Sequence, residues 1–356
     1  MGGVERKTHF HNFGRAVTAL LLSACLLFLC ACTAGKRAAS ISHITEKYGV
    51  PVDKQLIVYT SHKEEVYLPI IREFENTTGI SVEIHAGGTA ELFKEVRDNP
   101  DAGICDIIFG GGIESYEAQK DLFLPYEAVD KDKLDKHYLS EDDSYTAFTE
   151  LPLVFIYNTK LVSEDEAPRS WYDLFDPKWR GQIAFADIHT SGTSYTILST
   201  LSQVTKESVR TLIPKFLNQL HGRLLDSSGR IIPGVSTGSF LIGITLEETA
   251  MKNINAGQDI AMIYPAEGTS ALPDGCAIVK NAPHSYNAGK FIDFIINYDT
   301  QRYATDMFMR RPVRTDVSLP SSYAKIDQIE FDVKRAAGDE ETYFELWDEY
   351  LSGEEE

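Results

Sequence analysis

Gln55-Leu56-Ile57-Val58-Tyr59-Thr60, Ile80-Ser81-Val82-Glu83-Ile84-His85 and Asp106-Ile107-Ile108-Phe109 are short runs rich in β-branched residues. Each reads as a strand. Between the first two, Val66, Ile70, Ile71 and Phe74 recur at helical spacing, and Thr78-Gly79 supplies a stop. The loop Ala86-Gly87-Gly88-Thr89 leads into a second helix that starts over Glu91 to Val96, and Gly110-Gly111-Gly112 closes the third strand. Strand, helix, strand, helix, strand predicts an α/β sheet with parallel strands.

Outward from this stretch the pattern changes. Residues 130–145 are polar and charged, and Leu151 to Tyr157 then opens a new apolar run. Ile183 to Ala186, Phe240 to Thr245 and Ile260 to Tyr264 read as further strands. Helices are expected from about Tyr195 to Leu201 and from Ala288 to Ile296. The acidic tail from Asp339 reads as a solvated helix packed by Tyr343, Phe344, Trp347 and Tyr350. The expected organisation is two α/β lobes: 53–150 with about 263–300, and 151–262 with about 301–356.

Towards the N-terminus, Arg6, Lys7 and Arg15 precede an almost wholly apolar run from Ala16 to Ala31. That is the pattern of a secretory signal peptide over residues 1–31, too short for a membrane span. Leu29-Cys30-Ala31-Cys32 resembles a bacterial lipobox, and Leu22-Ser23-Ala24-Cys25 has the same form. Cys32 is the expected lipidation site, with Cys25 the alternative, because cleavage at Cys25 leaves Leu26 to Leu29 on the mature end. Residues 32–52 then form a tether, and the product is exported and lipid-anchored.

The chain of 356 residues carries a net charge of −19, and removal of residues 1–31 takes it to about −21. Such a body is a poor candidate for electrostatic binding of nucleic acid or an anionic membrane surface, although a local site can be positive on an acidic protein. Cys105 and Cys276 stand among apolar residues and belong to no CxxC pair. His62, His85 and His189 are too dispersed to define a metal site. There is no P-loop, HExxH or GxGxxG, so neither metal nor cofactor is expected.

Ligands of α/β sheets gather at the carboxyl ends of strands. Three loops there precede helices and carry small donor residues: Ser61; Gly88 and Thr89; and Ser191, Gly192, Thr193 and Ser194. Free N–H groups at a helix start, with hydroxyls beside them, suit an anion. Ser191 could instead serve only as a cap for its own helix. Carboxylates at other strand ends, Glu247, Glu248 and Glu267, suit sugar hydroxyls, an amine or a metal.

Gly234-Val235-Ser236-Thr237-Gly238 matches the G-x-S-x-G nucleophile pattern. That motif needs a strand before the serine and a helix after it. Here Pro233 precedes it and the strand-like Phe240 to Ile244 follows.

Several segments together resemble one family. Leu56 to Ser61, Phe74-Glu75-Asn76-Thr77-Thr78-Gly79-Ile80, Asp106 to Gly112, Asp176-Pro177-Lys178-Trp179-Arg180-Gly181 followed by Ser191-Gly192-Thr193, Tyr264 to Thr269, and Arg311-Pro312-Val313-Arg314 are similar to the solute-binding proteins of ferric iron, phosphonate and sugar-phosphate ABC importers. The likeness runs from about Lys54 to Val317. It implies a type II periplasmic binding fold, hinge strands near Glu150 to Tyr157 and Ile260 to Tyr264, a ligand between the lobes, and a permease with its ATPase as partners.

Iron-binding members carry adjacent tyrosines on the second lobe. This chain has no Tyr-Tyr pair, and reads Gly243-Ile244-Thr245-Leu246-Glu247-Glu248-Thr249 at that place. The resemblance therefore points to a phosphorylated or phosphonate organic solute. Ser61, Gly88, Thr89 and Ser191 to Ser194 would hold the anion. His62, Asp187, His189, Thr245, Glu247 and Glu267 would hold the organic part. Ferric iron, held by His62 and a glutamate, is the alternative within the family. An exported hydrolase using Ser236 and a purely adhesive lipoprotein are the alternatives outside it.

Overall fold

The computed structural model describes residues 49–353. The signal peptide, Cys25, Cys32 and most of the tether lie outside the described residues. Residues 49–54 belong to a separate unit, in which Val52–Lys54 make one 3-10 turn.

The remainder begins with the expected alternation. β1 (Gln55–Thr60), α1 (Glu64–Thr78), β2 (Ser81–Ala86), α2 (Thr89–Asp98) and β3 (Ile107–Gly112) follow one another. β1 runs parallel to both β2 and β3, with Val58 opposite Ile84 on one side and Ile107 on the other. Helices cover both faces, so β1 is apolar almost throughout rather than alternating. α1 buries Val66, Ile70, Ile71 and Phe74. It ends at Gly79, whose φ of 66° suits glycine and whose N–H donates to the Glu75 carbonyl at 2.8 Å.

The chain continues through α3 (Ile113–Ala118), β4 (Phe123–Leu124) and β5 (Thr146–Glu150), then crosses to a second sheet. There lie β6 (Leu153–Asn158), β7 (Ile183–Ala184), α4 (Gly192–Thr205), α5 (Val209–Leu220), α6 (Ile231–Ser236), β8 (Ile242–Leu246), α7 (Glu247–Asn255) and β9 (Ile260–Ile263). The chain returns to the first sheet with β10 (Pro273–Val279), α8 (Ser285–Ile295), α9 (Tyr298–Phe308) and β11 (Arg311–Pro312), and ends in α10 (Val333–Gly353).

The first sheet has the order β11-β5-β10-β3-β1-β2, with β4 also paired to β10, and the second β7-β8-β6-β9. Parallel pairing holds for β1, β2 and β3, but β10 runs antiparallel to β3. Both lobes are therefore mixed α/β layers, each around its own core.

The structure moves one expected boundary. The second lobe is expected to resume at about residue 301, yet β11 pairs with β5 of the first sheet, and Ala304 of α9 lies in the first core. Within the expected tail, α10 places Tyr343, Leu346 and Trp347 in the second core. Tyr350 is instead 40% exposed. α10 also packs against α3, so it spans both lobes.

Three segments cross between the lobes: Leu151-Pro152, residues 264–272, and residues 313–332. They lie side by side. Leu153 N–H donates to the Ser270 carbonyl at 3.2 Å, Thr269 N–H to Asp327 at 3.0 Å, and Ile329 N–H to Thr269 at 3.1 Å. The third crossing was not foreseen.

Candidate functional site

The lobes enclose a cavity of about 160 Å³. Ser61 reaches it from the end of β1. Gly88 caps the start of α2 in an extended conformation (φ −70°, ψ 147°), and Thr89 is the first residue of that helix. Ser191 caps α4, with Gly192 and Thr193 in its first turn. All six line the cavity, as do His62 and Thr245. Two helix starts and the hydroxyl residues Ser61, Thr89 and Thr193 thus converge on the cavity from opposite lobes, the arrangement that stabilises a bound anion.

Ser191 does cap its own helix, accepting from Ser194 N–H at 3.1 Å. Ser194 itself is buried and does not line the cavity. Four other expected ligand residues also lie elsewhere. Glu247 is bound by Arg311 and by the Tyr264 hydroxyl. Glu267 accepts from the Ser170 hydroxyl and from Trp171 N–H at 3.2 Å, holding the turn at Trp171. Asp187 accepts from His189 N–H at 2.8 Å, and His189 Nε2 pairs with Asp348 of α10 at 2.7 Å.

Of the two adjacent strand-end carboxylates, Glu248 rather than Glu247 lines the cavity. Lys63, Thr196, Thr249, Asp274 and Arg310, which the sequence did not single out, line it as well. Asp274 on β10 is fully engaged. It accepts from Thr149 N–H at 2.8 Å and Thr149 Oγ1 at 2.9 Å, and from an Arg310 terminal nitrogen at 2.6 Å. Arg310 is 5% exposed, and its Nε has no protein partner. His62 Nε2 stands 3.1 Å from Asp274 Oδ2 but is not aligned for a hydrogen bond. Burial pushes the His62 imidazole down to about 3, Asp274 opposing and Arg310 assisting, so His62 is neutral at pH 7.

The lobes touch around the cavity. Lys63 Nζ donates to Thr249 Oγ1 at 3.3 Å, Lys252 pairs with Glu65, and Thr196 Oγ1 donates to Glu114 Oε1 at 2.5 Å. A methyl added at Gly192 would stand 3.1 Å from Thr89 Oγ1, so glycine lets the backbone of one lobe meet a side chain of the other. Gly111, with φ 87°, leaves room for Thr89 in the same way, because a methyl there would lie 2.6 Å from Thr89 Cγ2.

Ser236 closes the short helix α6, and its hydroxyl donates to the Pro233 carbonyl at 3.4 Å. No strand delivers it into a sharp turn before a helix, so the nucleophile elbow is not formed. Among the described residues, no group of three or more His, Cys, Asp or Glu is placed to hold a metal ion, and no tyrosine lines the cavity.

Residues 99–330 match the family described as bacterial extracellular solute-binding protein. The chain is 21% identical to iron uptake protein A1 of Synechocystis over 78% of this chain and 81% of that protein. It is 23% identical to a periplasmic protein of Salmonella typhimurium assigned to 2-aminoethylphosphonate binding, over 71% of this chain and 75% of that one. Its fold is similar to the periplasmic binding protein AfuA of Actinobacillus pleuropneumoniae, solved with fructose-6-phosphate. The TM-score is 0.75 at 20% identity, over 84% of this chain and 98% of that one. The two-lobe architecture is thus that of the type II periplasmic binding proteins.

Proposed function

The chain belongs to the bacterial extracellular solute-binding proteins, and we propose that it captures a small phosphorylated or phosphonate organic solute between its lobes for an ABC importer. The observation that carries this reading is the convergence of the α2 and α4 starts with Ser61, Thr89 and Thr193 on one cavity. Each helix pole contributes up to ~2 kcal/mol to a partly buried anion. Each hydrogen bond to a charged group adds roughly 1.5–3 kcal/mol. Lys63 and the unpartnered Arg310 Nε supply cationic donors nearby. Glu248 and Thr245 offer acceptors for the organic part. Similarity to a protein named for 2-aminoethylphosphonate binding, and to one solved with fructose-6-phosphate bound, supports the same class.

Ligand contacts on both lobes favour the closed state by their differential affinity. Delivery is to a membrane permease and its ATPase. The protein is held at the membrane by lipid on Cys32, and Cys32→Ala is expected to move it from the membrane to the soluble fraction. The binding test is isothermal titration with 2-aminoethylphosphonate and a hexose phosphate. Thr193→Val removes one donor at similar size, and is expected to weaken binding about tenfold or more. Unchanged affinity removes Thr193 from the anion site.

A further inference from the structure

Glu114 is a buried carboxylate that capture of an anion does not require. It is the second residue of α3 on the first lobe and is 1% exposed. Its Oε1 accepts from Thr196, which belongs to α4 of the second lobe and lines the cavity. Its Oε2 is buried without a partner.

The groups around it offer no compensating cation among the described residues. From α10, Glu340 faces it, and the Arg97 guanidinium beyond Glu340 donates to Gln119 Oε1 at 2.8 Å. From α4 comes Tyr195, whose hydroxyl donates to the Ala336 carbonyl, and ahead of β5 comes Tyr145. β3 contributes only glycines at this end, and Asp274 of β10 is taken by Thr149 and Arg310. A lone carboxylate enclosed in this way carries a desolvation cost that protonation removes. Burial accordingly raises the Glu114 carboxyl. Burial, with Glu114 as the next contributor, pushes Glu340 up to about 7.

We infer that Glu114 is a proton-operated latch of the cleft. Closure sets its carboxyl against Thr196 and takes up one proton from water, so the lobes close more readily as pH falls. This rests on the reading that the lobes close around a solute, but not on the identity of that solute. When the lobes part, Thr196 leaves with the second lobe, water reaches the carboxylate, and the proton is released. The sign follows from linkage. The closed form binds the proton more tightly, so the closed-to-open ratio rises as pH falls from the raised value towards the ordinary carboxylate range, by at most tenfold per pH unit.

The test is small-angle X-ray scattering on the mature protein without ligand, at about pH 5 and about pH 8. It uses no cargo, so it can fail while the binding assay succeeds, and the reverse. The wild type is expected to be more compact at the lower pH. Glu114→Gln, neutral and still able to accept from Thr196, should be equally compact at both. Thr196→Val should keep a response, moved to higher pH because the hydrogen bond that favours the carboxylate is gone. Glu340→Gln should keep it, moved to lower pH. A wild type with no pH response, or a response that survives Glu114→Gln but vanishes in Glu340→Gln, would overturn the assignment.

Discussion

Arg311 on β11 and Glu247 on α7 form a two-pronged ion pair across the lobe boundary. Arg311 Nε lies 2.7 Å from Oε2 and a terminal nitrogen 2.8 Å from Oε1, and both side chains are buried. Glu247 N–H also donates to the Pro152 carbonyl at 2.8 Å, within the first crossing segment. Glu247 therefore ties the second lobe to the hinge rather than reaching for a solute.

Removing one partner strands the other charge in the interior. Arg311→Ala and Glu247→Ala are each expected to destabilise the protein by about 3–5 kcal/mol in denaturant titrations. The double substitution should cost less than the two losses combined. Near-additive losses would show that the two groups do not depend on each other.

Gly192 sets how closely the lobes approach. Gly192→Ala places a methyl 3.1 Å from Thr89 Oγ1 of the other lobe. Solute affinity is expected to fall while the unfolding midpoint of the ligand-free protein stays near the wild-type value. An equal loss in both measurements would mean that the contact also persists without ligand.

His62 gives a pH dependence of stability. Its imidazole is held neutral at about 3 in the folded chain, against an ordinary value of 6.5. A depressed value means that the unfolded chain binds the extra proton. This part of the stability is present above about pH 6.5 and is lost progressively as pH falls towards 3. His62→Gln should therefore show a shallower fall in melting temperature between pH 7 and pH 4 than the wild type. Parallel curves would contradict a buried neutral histidine.

The first half of the sheet was legible because its signals are local. Apolar runs, a helical stripe and a glycine stop define β1, α1, β2, α2 and β3 within one continuous stretch. β10 was missed because Pro273-Asp274-Gly275 looks like a turn, although every residue of the strand is buried. That strand enters beside β3 only after the chain has built the other lobe, and the same return brings Asp274 and Arg310 to the cavity. The donor loops were readable because each follows a strand and starts a helix. Choosing between Glu247 and Glu248 was not possible from the pattern alone. One residue turns a helix by about 100°, which sends Glu248 to the cavity and Glu247 to the hinge.

The most direct test of the central claim is a thermal-shift panel on the purified protein, after any co-purified solute is removed. The panel contains 2-aminoethylphosphonate, hexose phosphates, inorganic phosphate and ferric citrate. A specific solute at 100 times its dissociation constant stabilises the fold by ~2.7 kcal/mol. A clear upward shift with one organic phosphate or phosphonate, and none with ferric citrate, is the predicted result. A shift with ferric citrate alone would contradict the account and make the cavity an iron site.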